Sequence, residues 1–212
     1  MLLKSKILVA ALTASACVSV AVADDAYMGV EADYSFKSST KVKLVHDSDV
    51  KFSDAQPGLG LKAGYDFGVW RAYGAYIYDF QASKNGADST EIWTNKWITH
   101  KFIVGTDYTP QVASGFKALV GAYAGLSIMK VDRTWTEFNA AGAVDESGTD
   151  KLSFTGYLIG AKVGGIYEIN ANNEIEFGYK FDRTDYGSSS KHRVSDMKET
   201  NHGIYLGYNY KF

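Results

Sequence analysis

The sequence predicts an all-β fold, an eight-stranded antiparallel up-and-down transmembrane β-barrel preceded by a cleavable signal peptide. Three observations carry the prediction. Eight segments alternate apolar and polar side chains, long and short connections follow one another in turn, and the charges share a face with glycines while aromatic residues occupy the other face. Alternation with period two is typical of strands that have two different surroundings.

The leader comes first in the chain. A basic start, an apolar run over residues 7–22 and the small residues Ala21 and Ala23 follow one another. This order is typical of a secretory signal peptide. We therefore predict a signal peptide over residues 1–23, with Ala21 and Ala23 as cleavage-site residues, and a barrel domain over residues 24–212.

Two other interpretations of the leader stay open. A membrane anchor requires roughly 18 or more apolar residues, which this run does not reach. Lipid modification at Cys17 is the second, although Ala14–Ala16 lacks the larger aliphatic residue usual before such a cysteine. Because Cys17 is the one cysteine of the sequence, cleavage after Ala23 leaves a chain without disulfides.

Each alternating segment has 10 to 14 residues. This is near the ~9–11 residues that a tilted strand needs to cross a bilayer. The last segment is typical, with Tyr208, Tyr210 and Phe212 on one face and Gly207 and Asn209 on the other. The eight segments are 26–36, 58–67, 70–80, 97–108, 116–129, 156–167, 174–183 and 203–212.

The connections sort into two classes. Four are long and polar: 37–57, 81–96, 130–155 and 184–202. Three are short: 68–69, 109–115 and 168–173. Long extracellular loops alternating with short periplasmic turns are typical of outer-membrane barrels. A secreted β-sandwich is the alternative, but its strands average about 5–6 residues and its turns would not sort in this way.

The polar faces predict a charged lumen. Because unpaired charge in a narrow interior is costly, we expect these side chains to form ion pairs. An eight-stranded barrel is only wide enough for its own side chains, which favours a polar plug over a gated ion path. The predicted lumenal charge network contains Glu31, Asp33, Lys62, Arg71, Lys101, Asp107, Lys117, Lys162, Glu176 and Lys180.

Aromatic residues near strand ends are typical of interfacial girdles. The pair Trp93 and Trp97, with Lys96 between them, is interpreted as an interfacial tryptophan pair at the outer rim. Contact with lipopolysaccharide or a host molecule is the alternative for the same residues.

Composition and motifs exclude several functions. The sequence has 22 basic residues, two of them in the leader (Lys4 and Lys6), against 24 acidic ones, so the remainder carries a net charge of −4. That balance gives no basis for nucleic-acid binding. No histidine or cysteine spacing indicates a metal site, and we expect no cofactor. His46, His100, His192 and His202 lie near the predicted outer rim among many serines, but no local motif indicates catalysis.

The leader, the eight alternating segments and the terminal Tyr210-Lys211-Phe212 resemble the small eight-stranded outer-membrane β-barrel superfamily of Gram-negative bacteria, with its OmpA-type and opacity-type porin-like barrels. The resemblance covers the chain after the leader. It implies a cell-surface barrel with roles in envelope integrity, adhesion or immune contact. The sequence ends at Phe212 without the peptidoglycan-binding domain of many OmpA-type proteins, so cell-wall anchoring is not expected.

We therefore expect a non-enzymatic scaffold in the cell outer membrane, exported through the periplasm, that presents four long loops. A narrow porin-like channel or conduit for small solutes is the alternative, and a lipid A-modifying enzyme is a third possibility. Expected partners are outer-membrane lipid and lipopolysaccharide, the assembly machinery and a host or surface ligand, with the protein a monomer. Tyr208, Tyr210 and Phe212 resemble the terminal signal that the assembly machinery recognises.

Overall fold

Period-two alternation produces β-strands throughout the described chain. The computed structural model describes residues 25–44, 50–88, 90–189 and 194–212, where all the regular structure is strand. These ranges contain no helix long and apolar enough to cross a membrane. The predicted leader, with Ala21 and Ala23, lies outside the described residues.

Eight long strands form the wall, as predicted, and one short strand lies in a connection between two of them. The strands are β1 (Ala26–Leu44), β2 (Val50–Asp66), β3 (Trp70–Ala87), β4 (Glu91–Tyr108), β5 (Gln111–Ala113), β6 (Phe116–Phe138), β7 (Val144–Glu168), β8 (Asn173–Ser189) and β9 (Val194–Lys211). The three-residue β5 was not predicted and pairs with the start of β6, inside one of the short connections.

The barrel closes through its first and last strands. β1 pairs with β9 from Tyr27 opposite Lys211 to Leu44 opposite Val194, and β4 pairs with β6. Every long strand is therefore bonded on both sides around the ring. A closed ladder satisfies the backbone groups that an open edge would leave exposed in lipid. The prediction that the last segment pairs with the first is confirmed.

The expectation of four long loops is wrong. The long strands have 17 to 25 residues, and the polar stretches continue them as hairpins beyond the predicted segments. The β6–β7 ladder reaches Phe138 opposite Val144. At the β3–β4 turn, backbone N–H groups of Thr90 and Glu91 donate bonds of 2.9 and 2.8 Å to Asp88, which lowers the pKa of that carboxyl.

At the outer end, opposite the short turns, the wall splits into two sheets. The β2–β3 ladder stops at Gly58 opposite Asp79, and the β7–β8 ladder stops at Tyr157 opposite Asp185. Beyond these two seams the other ladders continue. Outer sheet I consists of residues 80–87, 91–97, 130–138 and 144–156, and outer sheet II of residues 37–44, 50–57, 186–189 and 194–201.

The two outer sheets bury an apolar core between them. Trp97 of sheet I is 1% exposed and packs edge-on against Phe52 of sheet II, with ring centroids 5.0 Å apart. This outer cluster closes the top of the lumen. Its buried members are Phe52, Ala82, Trp97, Met129, Val131, Phe154, Tyr186 and Met197.

Below the seams the polarity is reversed. Leu61 and Leu206 point outward and are 62% and 59% exposed to the surroundings, whereas the inward Lys62 and Asp107 are 4% and 0% exposed. The outward face forms the apolar belt that the alternation predicts for contact with lipid.

Four inward tyrosines lie across glycines of the paired strand. Tyr73 stands opposite Gly105, and a Cβ added to Gly105 would lie 2.5 Å from the Tyr73 ring. A ring of this size fits in the narrow lumen only where its neighbour lacks a side chain. One such pair lies in each of the strand pairs β1–β2, β3–β4, β6–β7 and β8–β9. The four pairs are Tyr27–Gly64, Tyr73–Gly105, Tyr123–Gly160 and Tyr205–Gly178.

Candidate functional site: the lumen

The lumen holds three layers of ion pairs, and the first lies at the short-turn end. Arg71 of β3 binds Asp66 at 2.8 Å and Glu174 of β8 at 2.7 Å. All three side chains are at most 3% exposed. The other pairs of this layer are Lys117–Glu168 at 2.9 Å and Lys211–Asp66 at 3.0 Å.

The middle layer is built around Glu176. This carboxylate accepts hydrogen bonds from Lys62 at 2.5 Å and from Lys162 at 2.9 Å. Lys162 also binds Asp107 at 2.9 Å. The group joins β2, β4, β7 and β8 through side chains that are at most 4% exposed.

The third layer lies under the outer cluster. Lys180 binds Glu31 and Asp33, each at 3.0 Å. Beside it, Lys101 binds Asp79 at 2.9 Å and contacts Asp182 at 3.5 Å. Lys101 on β4 and Asp182 on β8, three strands apart in the ring, are thereby connected across the lumen.

The structure brings all ten residues of the predicted charge network into these layers: Glu31, Asp33, Lys62, Arg71, Lys101, Asp107, Lys117, Lys162, Glu176 and Lys180. Charges removed from water require such partners, since an isolated buried ion costs several kcal/mol. The arrangement can brace the wall and fill the bore with fixed charge.

Two buried carboxylates escaped the sequence analysis. Glu174 is 1% exposed and is the first residue of the predicted segment 174–183, with the inward parity of Glu176. Glu199 is 0% exposed and accepts hydrogen bonds from Ser38 at 2.9 Å and Tyr186 at 2.7 Å. The alternation within 174–183 already gives Glu174 the inward parity, and extending the alternation of 203–212 toward its polar flank would have found Glu199.

The tryptophan interpretation is wrong for Trp97. It points inward into the outer cluster and does not reach the lipid interface. Trp93 lies on the same face of β4, across Gly86. The inward alternation of 97–108 already placed Trp97 with Thr99 and Lys101, which was the better signal.

Two of the four histidines are described. His100 and His202 lie on the outward face, and each Nδ1 is 2.8 Å from a tyrosine hydroxyl, Tyr76 and Tyr179 respectively. His46 and His192 lie outside the described residues. Among the described residues, no group of three or more His, Cys, Asp and Glu side chains is placed to hold a metal ion.

The last predicted set lies on the outward face of β9. Tyr208, Tyr210 and Phe212 are 43%, 43% and 50% exposed. Tyr210 and Phe212 form an edge-to-face pair with centroids 5.3 Å apart, and the Phe212 N–H bonds to the Ala26 carbonyl at 2.9 Å.

Comparison with known proteins gives one family. A family model described as the outer membrane protein beta-barrel domain matches residues 8–212. No curated protein matches the chain.

Several solved structures are similar in fold. Neisserial surface protein A is 17% identical, over 89% of this chain and 98% of that one, with a TM-score of 0.46. Ail, the attachment invasion locus protein of Yersinia pestis, in complex with the heparin analogue sucrose octasulfate, is 16% identical over 89% and 99%, with a TM-score of 0.48. Outer membrane protein H of Pseudomonas aeruginosa is 21% identical over 89% and 99%, with a TM-score of 0.45.

Proposed function

The chain belongs to the outer membrane protein β-barrel domain family and lies in the cell outer membrane, and from this premise we propose that it is a non-enzymatic scaffold. Its barrel anchors the two outer sheets, which serve envelope integrity, adhesion or another surface interaction. The display surface differs from the one expected from the sequence, because it consists of paired hairpins and not of four long loops.

The filled lumen is the observation that carries this proposal. Three layers of ion pairs span it, and above them Trp97, Phe52 and their neighbours occupy the space between the outer sheets. A solute would have to displace both fillings to pass. The outer sheets are therefore the part of the molecule best placed to meet other molecules.

Shortening one hairpin tests the proposal. Thr134 pairs with Thr149 above the outer cluster, so residues 134–149 can be replaced by an Asn-Gly turn that rejoins Arg133 to Asp150. We expect loss of cell adhesion or of envelope resistance to detergents, with heat-modifiable migration of the barrel retained. The control is Val112→Ser at the exposed short-turn end, which should leave both properties unchanged.

Two results would contradict the scaffold role. Reproducible single-channel steps of the intact protein in planar bilayers would favour the narrow channel. A changed lipid A acylation pattern between a deletion strain and its complemented parent, seen by mass spectrometry, would favour an enzyme.

We further propose that Tyr208, Tyr210 and Phe212 form the assembly signal. Their outward aromatic rings stand on the strand that closes the barrel. Phe212→Asp should lower the amount of folded protein in the outer membrane severalfold, whereas the conservative Phe212→Tyr should not. Equal surface levels of Phe212→Asp and the unaltered protein, measured by cell-surface labelling, would refute this role.

A further inference from the structure

A cluster of lysines lies on the outward face just above the apolar belt. Lys96, Lys130 and Lys151 stand on the neighbouring strands β4, β6 and β7, and all three are exposed. They line a groove of about 380 Å³ together with Gln81 and Ser153. We call Lys96, Lys130 and Lys151 basic patch I.

Basic patch I faces the surroundings and not the lumen. Along β4 its Lys96 has the parity of His100, Phe102 and Val104, which form the outward belt, while Trp97 between them points inward. On β6 the outward cation directly above the belt is Lys130, opposite Ile98. This is the depth at which the headgroups of outer-leaflet lipids meet the barrel wall.

A second patch repeats the arrangement on the other side of the ring. Basic patch II comprises Lys41 and Lys43 on β1, Arg183 on β8 and Lys198 on β9, which line a groove of about 310 Å³ together with Asp196. β9 lies four strands from β4 in either direction around the eight-stranded ring. The two patches thus occupy opposite sides of the outer rim.

The repeat extends to the residue spacing. Lys96 lies four positions before His100 on β4, and Lys198 lies four positions before His202 on β9, in each case toward the outer end of the strand. The residue midway between each Lys and His faces a cation on the adjacent strand: Ile98 faces Lys130, and Thr200 faces Arg183. Each lysine then faces an aspartate, Asp132 for Lys96 and Asp185 for Lys198.

The patches differ in how far their charge is neutralised. Lys198 binds Asp196 at 2.9 Å and lies 3.7 Å from Asp185. Among the described residues, Lys96, Lys130 and Lys151 form no ion pair, although Asp132 stands between two of them in register. The three ammonium groups of patch I are therefore available to bind an anion just above the apolar belt.

We propose that basic patch I binds the phosphate groups of the glycolipid of the outer leaflet, lipid A, with patch II as a weaker second site. The three ammonium groups on adjacent strands match a bulky, multiply phosphorylated headgroup, and the belt below them accommodates its acyl chains. The inference relies on the outer-membrane location and not on the adhesion role of the outer sheets.

The test measures the binding of lipid A to the folded protein in zwitterionic micelles by native mass spectrometry. Lys96→Gln/Lys130→Gln/Lys151→Gln should bind diphosphoryl lipid A at least about tenfold more weakly than the unaltered protein, from roughly 1 kcal/mol for each interfacial cation. The control Lys37→Gln/Lys51→Gln/Lys84→Gln removes the same charge outside patch I and should stay within about twofold. Heat-modifiable migration verifies folding, and Lys96→Arg/Lys130→Arg/Lys151→Arg should retain binding.

Three results would overturn the proposal. They are equal binding by the triple glutamine variant, equal binding of dephosphorylated lipid A, and displacement of lipid A by inorganic phosphate at millimolar concentration, which would indicate a site for a free anion. The variant lacking residues 134–149 retains all three lysines and should still bind lipid A. Failure of the scaffold proposal is thereby distinguishable from failure of this one.

Discussion

The barrel wall and the outer sheets use the same strands but fill their interiors in opposite ways. On β7 the inward Lys162 of the barrel binds Glu176 and Asp107, while the inward Phe154 of the same strand packs among apolar side chains above the seam. On the outward face the order is reversed, from Ile159 below to Lys151 above.

The difference shows that the surroundings of the wall decide what its interior contains. In lipid the outward face must be apolar, so polar side chains are left for the lumen, where they must pair. In water the outward face carries charge, and the inward face can bury apolar area as in a soluble sandwich. The seams at Gly58–Asp79 and Tyr157–Asp185 mark the change.

The largest effect is expected from breaking the ionic interior. Glu176→Ala leaves the buried Lys62 and Lys162 without their shared carboxylate, which should cost about 3–5 kcal/mol of the free energy of unfolding. Urea unfolding of the protein in lipid vesicles measures this loss. The exposed Glu146→Ala on the β6–β7 hairpin is the matched control, and a similar loss there would contradict the assignment.

Truncating the apolar interior should have a large but local effect. Trp97→Ala opens a cavity between the outer sheets, and such truncations cost about 3–5 kcal/mol when the site cannot collapse. Because the seams let the sheets separate, we place this cost at the lower end. Limited proteolysis should cut the outer hairpins while the barrel stays heat-modifiable, whereas loss of the barrel itself would show that both interiors form one unit.

A smaller cost is expected at the tyrosine–glycine contacts. Gly105→Ala places a methyl group against the Tyr73 ring, and overpacking of this kind costs about 1–3 kcal/mol. Tyr73→Leu in the same chain should recover part of the loss, because it removes the clashing ring atoms. Additive losses in the two single variants and the double variant, measured by urea unfolding, would argue against the contact.

The smallest effect is expected at the solvent-accessible end of the space between the outer sheets, where Arg133 and Glu91 lie on the face of Val131 and Trp97. Arg133 binds Glu91 at 2.7 Å, but its side chain is 43% exposed. Solvent screening limits such pairs to under about 1 kcal/mol, so Arg133→Ala should barely shift the unfolding midpoint. A loss as large as that of Glu176→Ala would erase the distinction between surface and lumen.

Sequence periodicity predicted the closed barrel because the alternation between two environments is strongest inside the membrane. The lipid-facing Leu206 and Tyr208 and the lumenal Lys211 and Lys162 follow directly from it. The ion pairs could be expected as a set, because a narrow bore leaves charges nowhere else to go. Their partners could not be read from spacing, since each pair joins strands far apart in the chain, as Lys62 and Glu176 show.

The outer sheets could not be predicted in the same way, because their outward face is polar instead of apolar and the alternation is interrupted where they begin. Polar outward residues such as Thr134 and Lys151 are typical of loops as well as of water-exposed strands. A bulge in β1 between Ser35 and Lys37 also shifts the parity of the residues beyond it. The alternation is therefore interrupted at the point where the surroundings change, and the polar stretches resembled connections.

The two outer sheets also come from different parts of the sequence. All of outer sheet I lies within residues 80–156, a stretch that also contains wall residues 98–129, whereas outer sheet II is assembled from residues within 37–57 and 186–201. Since no backbone ladder among the described residues joins the two sheets above the seams, a single recombination event could exchange one half of the exposed surface and leave the other half unchanged. A surface built in this way can diversify one side at a time.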